Sequence, residues 1–499
     1  MGREEQIINE RLKKIKELRE QGINPYTHKF DKKNNCAECL ELELKTKVKT
    51  AGRLMTKRDL GKISFAVLKD NFGEVQLVLQ ESKTFENQMK FFKKYFDRGD
   101  FVGVEGEIFK TKTGQTSILV KKIQLLTKSI KPLPEKWKGL QDKEERYRKR
   151  YIDLVMDLKV REVFNKRAKT ISAIREFLVK KGYDEVETPI LQPIYGGTSA
   201  KPFESKLNAL DMKVYMRVSN ELYLKRLIAG GYEKIFEFSP DFRNEGMDAT
   251  HNPEFTQMET MCAYADYNDN MDFIEEMIEF VVKKVCGKTK IEYQGKTLDF
   301  KRPWKRISMI DAIKNYAGFD PDKLSDKEIK DKLQELKIEI PVFKRGIAIE
   351  ELFGELVEGK LIQPTIVYDF PFETCGLAKP KQEEPRFAER FEPYVNGWEL
   401  GNVYSELNDP EVLEEYWKDQ EKMLAKDEEA QRLDLDFLNM LKIGMPPTSG
   451  IGIGIDRLVM LLTNQPSIRD VLFFPFMKPE QTELKKEEKK EEKKEQKKK

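Results

Sequence analysis

The chain has 499 residues, 39 % apolar and 35 % charged, with a net charge of +3, enough for about three domains at roughly 150 residues each. No run approaches the roughly 18 uninterrupted apolar residues of a membrane helix. The opening residues (MGREEQIINE) lack the apolar stretch of a secretory signal, and five cysteines are too few and odd for a disulfide scaffold, so a reducing cytoplasm is expected and membrane, collagen-like, wholly disordered and disulfide-rich classes are excluded.

The net charge conceals an asymmetry. Residues 1–150 carry +13, residues 151–479 carry −12 and the last 20 carry +2. That fits a nucleic-acid-facing module joined to an acidic body, and it fits solvated lysines equally well.

In chain order, residues 3–20 predict a helix with an apolar stripe of Ile7, Ile8, Leu12, Ile15 and Leu18. Arg11, Lys13, Lys14, Lys16 and Arg19 lie largely off the stripe, and Gly22 and Pro25 end the helix. Packing of this helix on the body is the favoured reading over RNA contact. From about Val48 to Leu126 the runs ISFAVLKD, EVQLVLQ, DFVGVEGEIF and TSILVKKIQLL alternate with turn signals. Several short strands in about 80 basic residues fit a small closed barrel of the oligonucleotide-binding kind. Residues 128–150 are charged, contain two prolines and read as a linker. From 151 to 478 helical and strand patterns alternate, with a helical insertion at about 305–345, centred on 320–340. The domains expected are a helical extension (1–46), the barrel (47–127), the linker, an α+β body (151–478) and a charged, disordered, solvated tail (479–499).

Three segments carry chemistry. In GIGIGIDR (450–457), Gly alternates with Ile at period two, so a strand would present one bare face and one packed face. The bare face admits a flat ring. Asp456 is expected to cap the next helix, with Arg457 in its first turn beside a phosphate-binding N-terminus. The bland alternative is a glycine strand that allows close helix packing. In residues 234–264, Asp241, Arg243 and Glu245 share one face, and Phe255, Gln257, Glu259 and Met261 share another. A hairpin would bring an arginine, an aromatic plate and a carboxylate to one pocket, or would simply be half exposed. In residues 389–407, Glu392 and Glu399 supply oxygen ligands suited to Mg2+. Asn402, Tyr404 and Glu406 alternate onto one face, and a bulge near Gly401 is needed to bring Glu399 into phase with them.

FRNEG…HNPEFT together with GIGIGIDR resembles motifs two and three of the class II aminoacyl-tRNA synthetases, and GYDEVETPIL (182–191) resembles motif one. ERYRKRYIDL, GGTSAKPF, ELYLKRL and WELGNVYSELND further resemble the lysine-specific members, over about residues 5–478. The resemblance implies an N-terminal OB-fold barrel and a catalytic domain with a mainly antiparallel sheet flanked by helices. It implies ATP-dependent activation of L-lysine and its transfer to the 3' end of tRNA(Lys), with Mg2+ as cofactor. Pro189 would lie at the interface of a homodimer.

Residue by residue, the resemblance has Arg243 on the α-phosphate, His251 and Arg457 at the γ-phosphate end, and Phe255 stacked on adenine opposite Arg457. Glu245 and Asn252 would help fix the nucleotide. Glu392 and Glu399 would carry Mg2+. Gly197, Glu221, Asn402, Tyr404 and Glu406 would line the amino-acid pocket, with Glu259 facing the ε-ammonium. In the barrel Phe65 would stack on an anticodon base and Gln76 bond to a base edge. Gln115 belongs to the same anticodon face.

Three departures stand out. Met261 replaces a tyrosine usual beside the ammonium, Gln115 replaces an acid frequent in the barrel, and TCGLAK (374–379) replaces an SPLA-type sequence. Cys36 and Cys39 form a C-x-x-C with only His28 nearby, short of a structural zinc set, and read as plain thiols; Cys262, Cys286 and Cys375 read as buried small hydrophobes. The rivals are an aspartate or asparagine enzyme of the same subclass, a protein-lysylating paralogue, and a non-catalytic RNA-binding scaffold. The first should be rich in Arg and Lys where this chain has Glu221, Glu259 and Glu406. The second lacks a barrel. The third should have lost Arg243, Arg457 or the metal carboxylates.

Overall fold

The computed structural model describes residues 2–84, 86–134, 140–340, 342–424 and 434–479. The expected disordered tail, apart from its first residue, lies outside them, as does 135–139 of the expected linker. The chain divides into two units, Met1–Gln141 and Asp142–Lys499.

The first unit is a closed barrel of β1 (Lys47–Leu60), β2 (Ile63–Lys69), β3 (Glu74–Gln80), β4 (Phe101–Lys110) and β5 (Thr116–Thr127), ordered β1-β2-β3-β5-β4. Alternation drives it: Leu68, Val75, Leu77, Val102, Val104 and Ile118 point inward, while Phe65 and Gln76 stay half-buried on the outer face. Helix α1 (Arg3–Glu20) spans the predicted residues. Its buried face holds Ile15 and Leu18, as predicted, but Leu12 is exposed and Arg11 is buried. The cause is backbone acceptors: the Arg11 guanidinium donates to the carbonyls of Ser129, Lys131 and Arg98 at 3.1, 3.1 and 2.9 Å. Asp97 takes Lys14 at 2.8 Å and Lys128 at 2.5 Å. A charged residue with three good acceptors can be buried where an apolar stripe alone would exclude it. Cys36 and Cys39 are buried free thiols; burial pushes them up, to about 12 and about 11.

The second unit is built on a nine-stranded sheet. Its strands are β6 (Asp184–Glu185), β7 (Lys234–Phe242), β8 (Glu254–Ala263), β9 (Lys305–Ser308), β10 (Thr365–Tyr368), β11 (Arg390–Val395), β12 (Trp398–Glu399), β13 (Gly401–Ser405) and β14 (Thr448–Gly454). The order is β9-β10-β11-β13-β14-β8-β7-β6, with β12 beside β11. Pairing is antiparallel except β9 with β10 and β6 with β7. The glycine strand β14 behaves as its period requires. Ile451 and Ile453 enter the core, where Phe177 and Leu178 of one helix (Leu158–Lys180) and Ile274, Ile278 and Val282 of another (Tyr267–Cys286) cover one face of the sheet. Gly450, Gly452 and Gly454 face the other way, into a cavity.

Two expected boundaries move. The linker reading of 128–150 gives way to helices at Lys143–Arg148 and Arg150–Met156. Asp142 caps the first, accepting from the Glu145 amide at 2.7 Å. Arg150 is buried, bonded to Asp153 at 3.0 Å and to the Arg469 carbonyl at 2.9 Å. Charge density reads as a linker only while the charges are solvated. The insertion reading of 305–345 also starts too early, since Lys305–Ser308 is an edge strand of the main sheet. Helices Met309–Ala317 and Asp326–Glu335 follow it.

Candidate active site

One cavity of about 380 Å3 opens on the bare face of β14. It collects Arg243, Glu245, His251, Asn252, Phe255, Glu392, Glu399 and Arg457, together with Gly197, Glu221, Glu259, Asn402, Tyr404 and Glu406. The sheet explains the convergence. β7 and β8 form the predicted hairpin, with Asp241 opposite Phe255 and Glu237 opposite Glu259. β8 pairs β14, and β14 pairs β13, so Met261 and Tyr404 flank the same Gly450. A Cβ on Gly450 would overlap Glu406 Oε1 and the Met261 sulfur, so only glycine leaves this floor open.

One end is cationic. Arg457 lies in the first turn of helix Ile455–Thr463, as predicted. Its guanidinium meets His251 Nε2 at 3.0 Å and donates to the Glu399 carbonyl at 2.8 Å. His251 Nδ1 lies 2.7 Å from Asp248, which is held well below the usual carboxylate range by the Thr250 amide and by His251, against a burial penalty. The Arg243 guanidinium lies 5.0 Å from the Phe255 ring centroid. Asp456 does not cap its helix, contrary to expectation. Its carboxylate instead accepts from the Thr256 amide at 2.7 Å and pairs with Arg167, fastening helix Leu158–Lys180, β8 and the Arg457 helix together. Asp241 also departs: it is fully buried behind the cavity, on Ser239 and Arg217, and burial pushes it up to about 7.

The middle is acidic. Glu399 ends the two-residue strand β12 opposite Tyr394. In place of the expected bulge near Gly401 the strand breaks at Leu400, whose amide donates to the Pro393 carbonyl at 2.8 Å. Glu392 is gripped by Arg390 and by the Tyr394 hydroxyl at 2.5 Å. Burial pushes Glu392 up to about 8 against the pull of Arg390, with repulsion from Glu399 and Glu350 adding to it.

The other end is a buried acidic chamber. Glu221, Glu259 and Glu406 are 6, 5 and 1 % exposed. Glu259 accepts from Gln257 Nε2 at 2.6 Å and Ser219 Oγ at 3.3 Å. Burial drives it well above its ordinary value, with repulsion from Asp241, Glu221, Glu406 and Glu237. Gly197 has φ +95° and would press a Cβ on Ser219 and Glu221. Among the described residues, Arg243 Nε, Asn252 Oδ1, Glu259 Oε2 and Glu406 Oε1 are buried without a protein partner, and all four residues line this cavity. Buried polar atoms are ordinarily satisfied, so a cavity holding four such atoms is built for a polar ligand.

Sequence reasoning missed Lys225, Arg390, Ser219 and Arg167. Arg390 holds Glu392 and also donates to Asn402 Oδ1 at 2.9 Å. Its spacing of two from Glu392 was a usable signal. Lys225 and Arg167 sit in ordinary helical patterns and gave none. In the barrel, Ser117 Oγ donates to Gln76 at 2.9 Å, Phe65 shares the outer face of β2 with Val67, which pairs with Gln76, and Gln115 is exposed just before β5.

Residues 142–478 match the family model for tRNA synthetases class II (D, K and N), and residues 48–126 match that of the OB-fold nucleic acid binding domain. The chain is 49 % identical to the lysine–tRNA ligase of Clostridium novyi, over 95 % of this chain and 94 % of that one. It is 48 % identical to that of Clostridium tetani, over 95 % and 96 %, and 47 % identical to that of Clostridium acetobutylicum, over 95 % and 94 %.

Proposed function

The chain belongs to the class II tRNA synthetases of the D, K and N group, and from that premise we propose that it activates L-lysine with ATP and transfers it to the 3' end of tRNA(Lys). The observation that carries the choice of lysine is the buried chamber of Glu221, Glu259 and Glu406, in which Glu259 Oε2 has no partner. A side-chain ammonium fills that place. An aspartate side chain would meet repulsion from three buried carboxylates, and an uncharged one would leave their oxygens unpaired, at a cost of several kcal/mol.

The first step joins a lysine carboxylate oxygen to the α-phosphorus of ATP and breaks its bond to the bridging oxygen, releasing pyrophosphate. The attacking carboxylate is already ionised at neutral pH, so no base is needed and catalysis rests on positioning and charge. Arg243 is assigned to the α-phosphate, His251 and Arg457 to the γ-phosphate end, and Phe255 to adenine, with Glu245 and Asn252 fixing the nucleotide. Gly197, Glu221, Asn402, Tyr404 and Glu406 line the amino-acid pocket, with Glu259 facing the ε-ammonium. In the second step a terminal ribose hydroxyl of the tRNA attacks the lysyl carbonyl and AMP leaves.

Glu392 and Glu399 would hold Mg2+. The donor set fits, because hard oxygen ligands suit this ion and because Glu392 is raised partly by repulsion from Glu399 and Glu350, which a dication relieves. Bound there, Mg2+ supplies charge neutralisation at the phosphates.

Phe65, Gln76 and Gln115 on the barrel read the anticodon. A homodimer is expected from the motif-one segment at Pro189, with a cytoplasmic location. No helix among the described residues is long and apolar enough to cross a membrane. The test is amino-acid-dependent ATP–pyrophosphate exchange over the standard amino acids with Mg2+. Exchange with lysine alone is expected. Exchange with aspartate or asparagine would move the substrate, and none with any amino acid in folded protein would leave the RNA-binding scaffold.

A further inference from the structure

The chamber contains an ammonium group of its own. Lys225, one turn along helix Glu221–Ala229, is fully buried. Its Nζ lies 2.6 Å from Glu221 Oε1 and 2.5 Å from Glu406 Oε2. The Tyr404 ring centroid is 5.6 Å away, and the Tyr404 hydroxyl faces Glu221. A lysine buried this deeply without partners would lose its proton; here two carboxylates hold it charged, overriding the burial penalty.

The neighbouring charges balance separately. Arg217 bridges Glu237 at 2.7 Å and Asp241 at 3.4 Å, and the Arg243 charge also acts on Asp241. Those two cations offset those two acids. What remains, counted with the carboxyls ionised as they are around a bound ammonium, is Glu221, Glu259 and Glu406 against Lys225, a surplus of two negative charges. Lysine brings two ammonium groups, one at each end of its side chain.

We infer that Lys225 is the internal counter-ion that sets the chamber at two negative charges, so that it accepts an amino acid carrying two ammonium groups. Lys225 does not touch the substrate. It acts as a positioning residue, fixing the Glu221 and Glu406 carboxylates by bridging them across the chamber. The inference rests on the lysine reading above.

The reading and the inference separate in the experiment. Exchange by the unmodified protein decides the first, since lysine must drive it before any variant is informative. Lys225→Met then keeps an unbranched side chain, one heavy atom shorter, and removes the charge. The expected result is a lysine KM raised more than about tenfold, with the ATP KM within about twofold and the fold intact by circular dichroism. Removing the cation makes Glu406 harder to ionise, so the acid limb of kcat/KM for lysine moves to higher pH. A packing defect alone leaves that limb in place. Lys225→Arg keeps the charge and recovers most of the lysine KM with an unmoved limb. A folded Lys225→Met variant with an unchanged lysine KM, or one whose lysine and ATP KM rise together with the limb unmoved, overturns the inference. So does Lys225→Arg with a displaced limb, which is readable even where the methionine variant fails to fold.

Discussion

At the proposed nucleotide end of the cavity the polar side chains reach solvent: that of His251 is 54 % exposed and that of Arg457 22 %. At the amino-acid end they do not: Lys225 and Glu406 are at 0 and 1 %. The two ends also carry opposite sign. Part-exposed side chains are screened, and Arg457 is held meanwhile by Glu399, so the proposed nucleotide end can stand open to a polyanion at little cost. Buried carboxylates cost several kcal/mol each when unpaired, so the amino-acid end carries its own lysine, bridges its acids with hydrogen bonds, and takes up protons when empty. The same sheet face therefore presents two kinds of electrostatics, one for each of the two ligands proposed. Losses at the buried end should be larger and more specific than losses at the open one.

The sharpest test of that contrast is Glu259→Gln. It should lower kcat/KM for lysine by about a hundredfold to a thousandfold, the equivalent of about 3–4 kcal/mol, while the ATP KM stays within about twofold. Arg243→Ala should act on the other parameter. Loss of a group aimed at charge developing on the α-phosphate should reduce kcat about a hundredfold, with a small change in lysine KM. Equal effects of the two variants on both substrates would erase the distinction between the ends.

Protons offer a third handle. Burial and repulsion raise Glu259, and burial raises Glu406 to about 8 despite Lys225. The ionised forms bind an ammonium, so kcat/KM for lysine should rise from pH 6 to pH 8. A carboxyl whose folded pKa is raised favours the folded state at low pH, and that contribution falls as pH climbs through the unfolded value toward the folded one. Added lysine should consequently raise the Tm more at pH 8 than at pH 6.5. The smallest effect belongs to the exposed site: His251→Ala should raise the ATP KM only a few-fold and leave the lysine KM unchanged.

Much of this was readable from residue order, where the controlling physics is periodic. The barrel strands and β14 are visible because side chains alternate with period two, and glycine against isoleucine makes the bare and packed faces explicit. What was not readable depends on burial of a charge by distant partners. Lys225 in ELYLKRL looks like one half of a surface i, i+4 pair with Glu221; its second partner, Glu406, is 181 residues away in sequence. Arg11 resembles a solvated helix residue until three carbonyls from 98–131 close on it. Asp456 occupies a capping position by sequence, but Arg167 and the Thr256 amide compete for the same oxygens and win. Each case is a local preference overridden by a tertiary acceptor or donor, which no window of neighbours contains.

The most direct measurement compares ATP–pyrophosphate exchange driven by lysine with exchange driven by norleucine, which keeps the four-carbon chain and lacks the ammonium. The buried acidic chamber predicts brisk exchange with lysine and a kcat/KM for norleucine lower by about ten-thousandfold. Comparable exchange with norleucine would contradict the account, because a chamber that accepts it is not reading the ammonium.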